Sequence, residues 1–139
     1  MVTSEISLPV HIAQLFLGLA QALGILKTRL HGLSLEWEIK ESVFKTWKLG
    51  SSETHIPYSD LSSIDFEAGW LKHWITLRTG NLRALHGIPG SAGCELRLRV
   101  ARRDKAAARE LVSAVNLELQ SQSMQKMIQQ LENPPRLLP

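Results

Sequence analysis

The stretch Glu95-Leu96-Arg97-Leu98-Arg99-Val100-Ala101-Arg102, followed by Asp104 and the run Lys105-Ala106-Ala107-Ala108, decides the fold class. Its apolar residues take every second position, the pattern of a strand with one buried face. Leu96, Leu98 and Val100 then point inward, while Arg97, Arg99 and Arg102 meet solvent. Asp104 stands where an N-cap belongs, with a carboxylate able to accept from the free N–H groups of the first helical turn. Beyond it Ala108, Leu111, Val112, Val115 and Leu119 recur at helical spacing and make one stripe. A strand and a helix in direct succession, each with one apolar face, predict an α+β domain in which the helix covers a sheet.

The chain of 139 residues has room for one domain of about 100 residues plus tails, enough to bury a core without staples. Cys94 is the lone cysteine, so no internal disulfide forms, and a reducing, cytoplasmic setting is expected. No histidine-containing motif accompanies Cys94, which reads as a small core or turn residue rather than a nucleophile. Lys plus Arg number 16 against 13 Asp plus Glu, a net +3 that mildly favours acidic partners. Arg97, Arg99, Arg102, Arg103, Lys105 and Arg109 crowd into a short window, but arginine on the wet side of a strand and along a helix is ordinary, and nucleic acid is disfavoured as a partner.

Between residues 7 and 26 no side chain is charged if His11 is neutral. A signal peptide is disfavoured because Met1-Val2-Thr3-Ser4-Glu5 has no basic residue. A spanning helix is disfavoured by Pro9, His11, Gln14, Gly18, Gln21 and Gly24 in a run that barely reaches the length a bilayer requires. Ile12, Leu15, Phe16, Leu19 and Leu23 follow helical spacing instead, which predicts an amphipathic helix within an N-terminal segment of residues 1–24. Such a helix covers the core or, less well for want of Lys and Arg on its polar face, lies on a membrane or a partner.

From residue 25 the pattern turns to strands. Residues 25–30 read as one, His31-Gly32 as a turn, and Leu33, Leu35, Trp37 and Ile39 as the inner face of a second. Residues 43–49 continue in extended form until Gly50-Ser51-Ser52, which predicts a break. Pro57 makes residues 53–59 an edge strand, because proline cannot donate to a ladder. Asp60-Leu61-Ser62 reads as a turn, residues 63–67 and 74–80 as further strands, and residues 81–93 as a helical turn with a loop rich in Gly and Pro. Gly87, Gly90 and Gly93 do not form a phosphate cradle, since a strand follows where a helix N-terminus would be needed.

The last helix changes character beyond Leu119. At about 100° per residue, Leu117, Met124, Met127, Ile128 and Leu131 fall nearly opposite Leu111, Val112 and Val115. One domain cannot bury both sides, so the helix either breaks near Ser121-Gln122-Ser123 and folds back, or offers the second stripe to a partner. Asn133-Pro134-Pro135 ends it.

Several short strands closed by one amphipathic C-terminal helix resemble the pleckstrin-homology-like superfold. The segment His55-Ile56-Pro57-Tyr58-Ser59-Asp60-Leu61-Ser62-Ser63-Ile64-Asp65-Phe66 is similar to the strand, short polar turn and strand of bacterial pleckstrin-homology-like proteins, and Ala101-Arg102-Arg103-Asp104 with the helix after it resembles how that fold ends. The resemblance covers residues 25–120 and implies a strongly bent antiparallel sheet or barrel, with residues 121–139 as a helical extension and Pro-rich tail. Phosphoinositide-binding members carry basic residues around the first strand and the loop after it; here Lys27 and Arg29 alone occupy that place. The superfold serves lipid binders, peptide binders and scaffolds, so it fixes no activity.

No base stands near a nucleophile, and His11, His31, His55, His73 and His86 lack ligand spacing, so neither catalysis, a metal nor a cofactor is expected. The expected function is a non-enzymatic interaction or scaffolding module that assembles with itself or with another protein through Leu117, Met124, Ile128 and Leu131. The alternative is a peripheral module for an anionic membrane surface, using Trp70, Lys72, His73 and Trp74 at a hairpin tip with Arg78, Arg97 and Arg99.

Overall fold

The computed structural model describes residues 5–15, 18–41 and 48–132, with the side chains of residues 14, 15, 41 and 48–50 left aside. Its strands are β1 (Ser7–Leu15), β2 (Ala20–Thr28), β3 (Gly32–Glu41), β4 (Lys48–Pro57), β5 (Leu61–Ala68), β6 (His73–Thr79) and β7 (Glu95–Val100), followed by the helix α1 (Lys105–Glu132). They form one antiparallel sheet in the order β4-β3-β2-β1-β7-β6-β5. The sheet does not close, because β4 and β5 are its two edges. It is nonetheless bent around a single core: Leu8, Val10, Leu26, Leu35, Ile56, Ile64, Leu77, Leu98 and Leu111 belong to one buried cluster. This α+β arrangement is consistent with a pleckstrin-homology-like fold.

The N-terminal region corrects the expectation of a helix. Residues 7–15 and 20–28 are paired strands, in register from Ser7↔Lys27 to Leu15↔Ala20. The sheet therefore begins at Ser7 rather than near residue 25, and β1 is its central strand. The segment assigned to a helix also contains Leu8, Val10 and Ile12 at period two, and these three are buried on one face. Leu23 is half-buried on the other face and Leu19 is exposed in the turn before β2, so the helical spacing joined residues that share no face. Phe16 lies outside the described residues.

The expected break at Gly50-Ser51-Ser52 is also corrected: β4 runs through it, with Ser51 opposite Glu38 and Ser52 opposite Trp37. A long β3 supplies the hydrogen-bond partners that those three residues lack the propensity to demand alone. The extended reading of residues 43–47 lies outside the described residues. Pro57 ends β4 on the sheet edge, where no ladder bond is lost. Opposite it, Gly32 is required, since a Cβ there would strike the Ile56 carbonyl and Pro57 Cα.

A short 3-10 turn (Tyr58–Asp60) carries the chain from one sheet edge to the other. It is tied on both sides: Tyr58 N donates to the His31 carbonyl at 3.0 Å, and Gly80 N donates to the Asp60 carbonyl at 2.9 Å. The β6–β7 connection forms successive turns rather than a helical segment, closed by Ala84 N to Asn81 O and His86 N to Arg83 O. Its Leu85 and Ile88 are buried in the core, so the loop seals part of the bent sheet.

α1 covers the core with Ala108, Leu111, Val112 and Val115, packing chiefly on β5 and touching β1 and β6. Burying side chains of this size contributes about 1.5–3 kcal/mol each. Asn116 Nδ2 donates to the Ile64 carbonyl at 3.4 Å and marks the last polar tie to the sheet. Asp104 does precede the helix but caps no N–H. It lies in a 3-10 turn (Arg102–Asp104), whose helical backbone differs from the extended one a capping residue adopts; Ala101, at ψ 149°, has that conformation instead.

Candidate functional site

The two candidate surfaces lie at different places on this frame. The first is the second stripe of α1. The helix neither breaks at Ser121-Gln122-Ser123 nor folds back: it runs unbroken to Glu132. Leu117 is 67% exposed, Met124 63%, Ile128 50% and Leu131 80%, with Met127 alongside. All four expected contact residues are therefore together on a helical segment that leaves the sheet after about residue 119, on the side away from it.

The second is the outer face of β5, β6 and β7. Cross-strand register aligns Glu67, Trp74 and Arg99 in one row and Asp65, Thr76 and Arg97 in the next. Most of the charge in these rows is matched internally. Arg97 donates to Glu67 Oε2 at 3.1 Å and lies over the Trp74 ring at 4.1 Å. Arg78 sits 3.2 Å from Asp65 and 3.8 Å from Glu95. These pairs are exposed and screened, but they leave Arg78 and Arg97 poorly placed to attract an anionic lipid.

His73 departs most from the expected lipid-binding set. It is 4% exposed, inside the sheet with its ring edge-on to Phe66 at 5.7 Å. Its parity explains this: His73 shares a face with Ile75 and Leu77, whereas Trp74 and Arg78 face outward. Trp70 and Lys72, by contrast, are exposed in the β5–β6 turn, which Gly69 N closes by donating to the Lys72 carbonyl at 2.9 Å.

Sequence reasoning passed over His11. It lies beside Arg99 across the β1–β7 ladder, with a buried Nε2 that has no hydrogen-bond partner. Burial lowers its pKa below the ordinary value, Arg99 and Lys72 lower it further, and a hydrogen bond with Gln21 opposes them. The signal was absent from the sequence because Arg99 meets His11 only through the ladder.

A depression of about 470 Å³ over β2, β3 and β4 is lined by Leu23, Ile25, Glu36, Glu38 and Ser51. Its carboxylates are engaged, Glu36 by Lys27 at 3.0 Å and Glu38 by Lys40 at 2.9 Å. Lys27 and Arg29, the basic residues in the place used by phosphoinositide binders, are both paired with Glu36, and Arg29 also with Glu5. Among the described residues no three of His, Cys, Asp and Glu come together as a metal site, and no helix is long and apolar enough to cross a membrane.

Compared with family models, curated proteins and solved structures, the chain matches none. What it does is therefore inferred from its own residues.

Proposed function

We propose that the protein is a non-enzymatic assembly module of the pleckstrin-homology-like type, in the cytoplasm, whose C-terminal helix pairs with that of a second copy. The observation that carries this reading is the exposed seam of Leu117, Met124, Ile128 and Leu131 on the side of α1 turned from the sheet. With Ala114 and Ser121 these residues alternate steps of three and four, the 3.5-residue repeat along which two helices wind together.

Three features support a second copy as the occupant. Lys126 is the lone charge between residues 119 and 131, so little repels an identical helix. No opposite charges stand three or four apart in residues 117–132, so this segment lacks the side-chain pairs that hold an isolated helix, and helices this short are marginal in water. The sheet packs on the far side of α1, which leaves room for a partner helix without a clash between domains. Glu118 and Glu132 flank the same side of the seam; an antiparallel pair brings Glu118 of one copy toward Glu132 of the other, so parallel pairing is favoured.

The test is the solution mass by light scattering of the full chain and of a Met124→Gln/Ile128→Gln variant. A dimer for the first and a monomer for the second is expected, with the domain's thermal midpoint unchanged when both are measured dilute. Two monomers overturn self-assembly, and a dimer that survives the substitutions places the interface elsewhere.

A further inference from the structure

The cations of this protein divide into those with a counter-charge and those without, and four of the latter share one location. Lys27, Arg29, Lys40, Arg78 and Arg97 each lie within ion-pair distance of a carboxylate. Among the described residues Lys72, Arg83, Arg99, Arg102, Lys105, Arg109 and Lys126 have none, and Lys72, Arg99, Arg102 and Lys105 gather at the end of the sheet where β6 begins and β7 ends. The register His73↔Val100 sets Lys72 beside Ala101, with Arg102 next in the chain; Trp74↔Arg99 sets Arg99 one row in; Lys105 opens α1. Their fields converge, since both Lys72 and Arg99 act on His11. Of the acids nearby, Asp104 has a buried Oδ2 that lies 3.9 Å from Arg103 Nε, and Glu67 is taken by Arg97.

Lys72 joins this cluster to an apolar tip. The tight turn closed by Gly69 and Lys72 pushes Trp70 to 88% exposure and Leu71 to 64%. A Trp-Leu pair held out at a turn, with unpaired cations on its β6–β7 side, matches an anionic bilayer interface: the indole sits at headgroup depth, the aliphatic chain enters the acyl boundary, and the cations meet lipid phosphate. Single-stranded nucleic acid fits less well. It stacks on aromatic rings laid along a basic surface, and Trp74, the ring so placed, is already covered by Arg97.

We propose that the β5–β6 tip is a peripheral membrane-binding surface, with Trp70 and Leu71 as the inserting pair and Lys72, Arg99, Arg102 and Lys105 as its contacts with anionic lipid. His73, Arg78 and Arg97 take no part. The surface is independent of the helical seam, which begins about 18 Å farther along α1.

Vesicle co-sedimentation of the full chain tests it, with phosphatidylcholine alone and with about one-third phosphatidylserine added. Binding to the anionic vesicles only, weakened by high salt, is expected. Trp70→Ala/Leu71→Ala should weaken it about tenfold or more, and Lys72→Glu/Arg102→Glu by at least about fivefold per charge. Leu82→Ala, at an exposed leucine of the β6–β7 loop, should leave it unchanged. Because Trp70 and Leu71 are exposed, their variant should melt at the wild-type temperature, which separates lost binding from lost folding. Binding that neither double variant weakens, equal binding to phosphatidylcholine alone, no binding at all, or capture of a single-stranded oligonucleotide in place of vesicles would overturn the proposal.

Discussion

Two residues show how much depends on single polar atoms inside this sheet. Tyr58 is buried, and its hydroxyl donates to the Arg29 carbonyl at 3.0 Å, tying the β4–β5 crossing to the β2–β3 tip. Tyr58→Phe should cost about 1–2 kcal/mol, because the carbonyl loses its donor while the ring still packs. A lower urea midpoint with an unchanged slope is the expected reading. His11 carries the opposite kind of term. Its folded pKa lies below the ordinary 6.5, through burial first and then through Arg99 and Lys72. The unfolded chain accepts a proton that the folded chain resists, so this contribution is intact above pH 6.5 and is lost as pH falls below that value. Thermal midpoints across about pH 5.5 to 7.5 should therefore fall toward acid, and His11→Gln should flatten that part of the profile. An identical slope in the variant would assign the effect to other groups.

At the scale of the element, α1 is one helix with two environments. Its first half is held by the sheet through Leu111, Val112 and Val115, and among the described residues its second half buries no side chain. Leu111→Ala should cost about 2–5 kcal/mol, since it empties a fully buried site. Leu131→Ala should change the unfolding of the dilute monomer by no more than about 0.5 kcal/mol. Comparable losses at both positions, read by denaturant unfolding, would mean that the halves do not act separately. Both stripes were legible, because helical spacing is a local property and Leu117, Met124, Ile128 and Leu131 cannot share a face with Leu111. The N-terminal elements were not. Between residues 8 and 23 apolar residues are dense enough to satisfy a helical and a strand period together, and the strands win because β2 and β7 supply ladder partners on both sides of β1.

At the scale of the whole molecule, closure around one core depends on β1 pairing with β7, nearly the full length of the domain apart in sequence, at His11↔Arg99. That pairing creates the end of the sheet where Lys72, Arg99 and Arg102 meet, and it leaves the far part of α1 pointing away from the core. The sequence by itself determined the strand over Glu95–Val100, the helix after it, the opposed stripes of that helix, and the inner residues of β3 and β7. Each follows from side-chain period, which neighbours in the chain set among themselves. Only the tertiary structure decided that residues 7–28 form a hairpin at the centre of the sheet, that β6 starts as early as His73, and which cations are neutralised. Ladder partners and counter-charges come from distant segments: Arg97 and Arg99 are two residues apart on the same face, yet Glu67 reaches one and leaves the other bare.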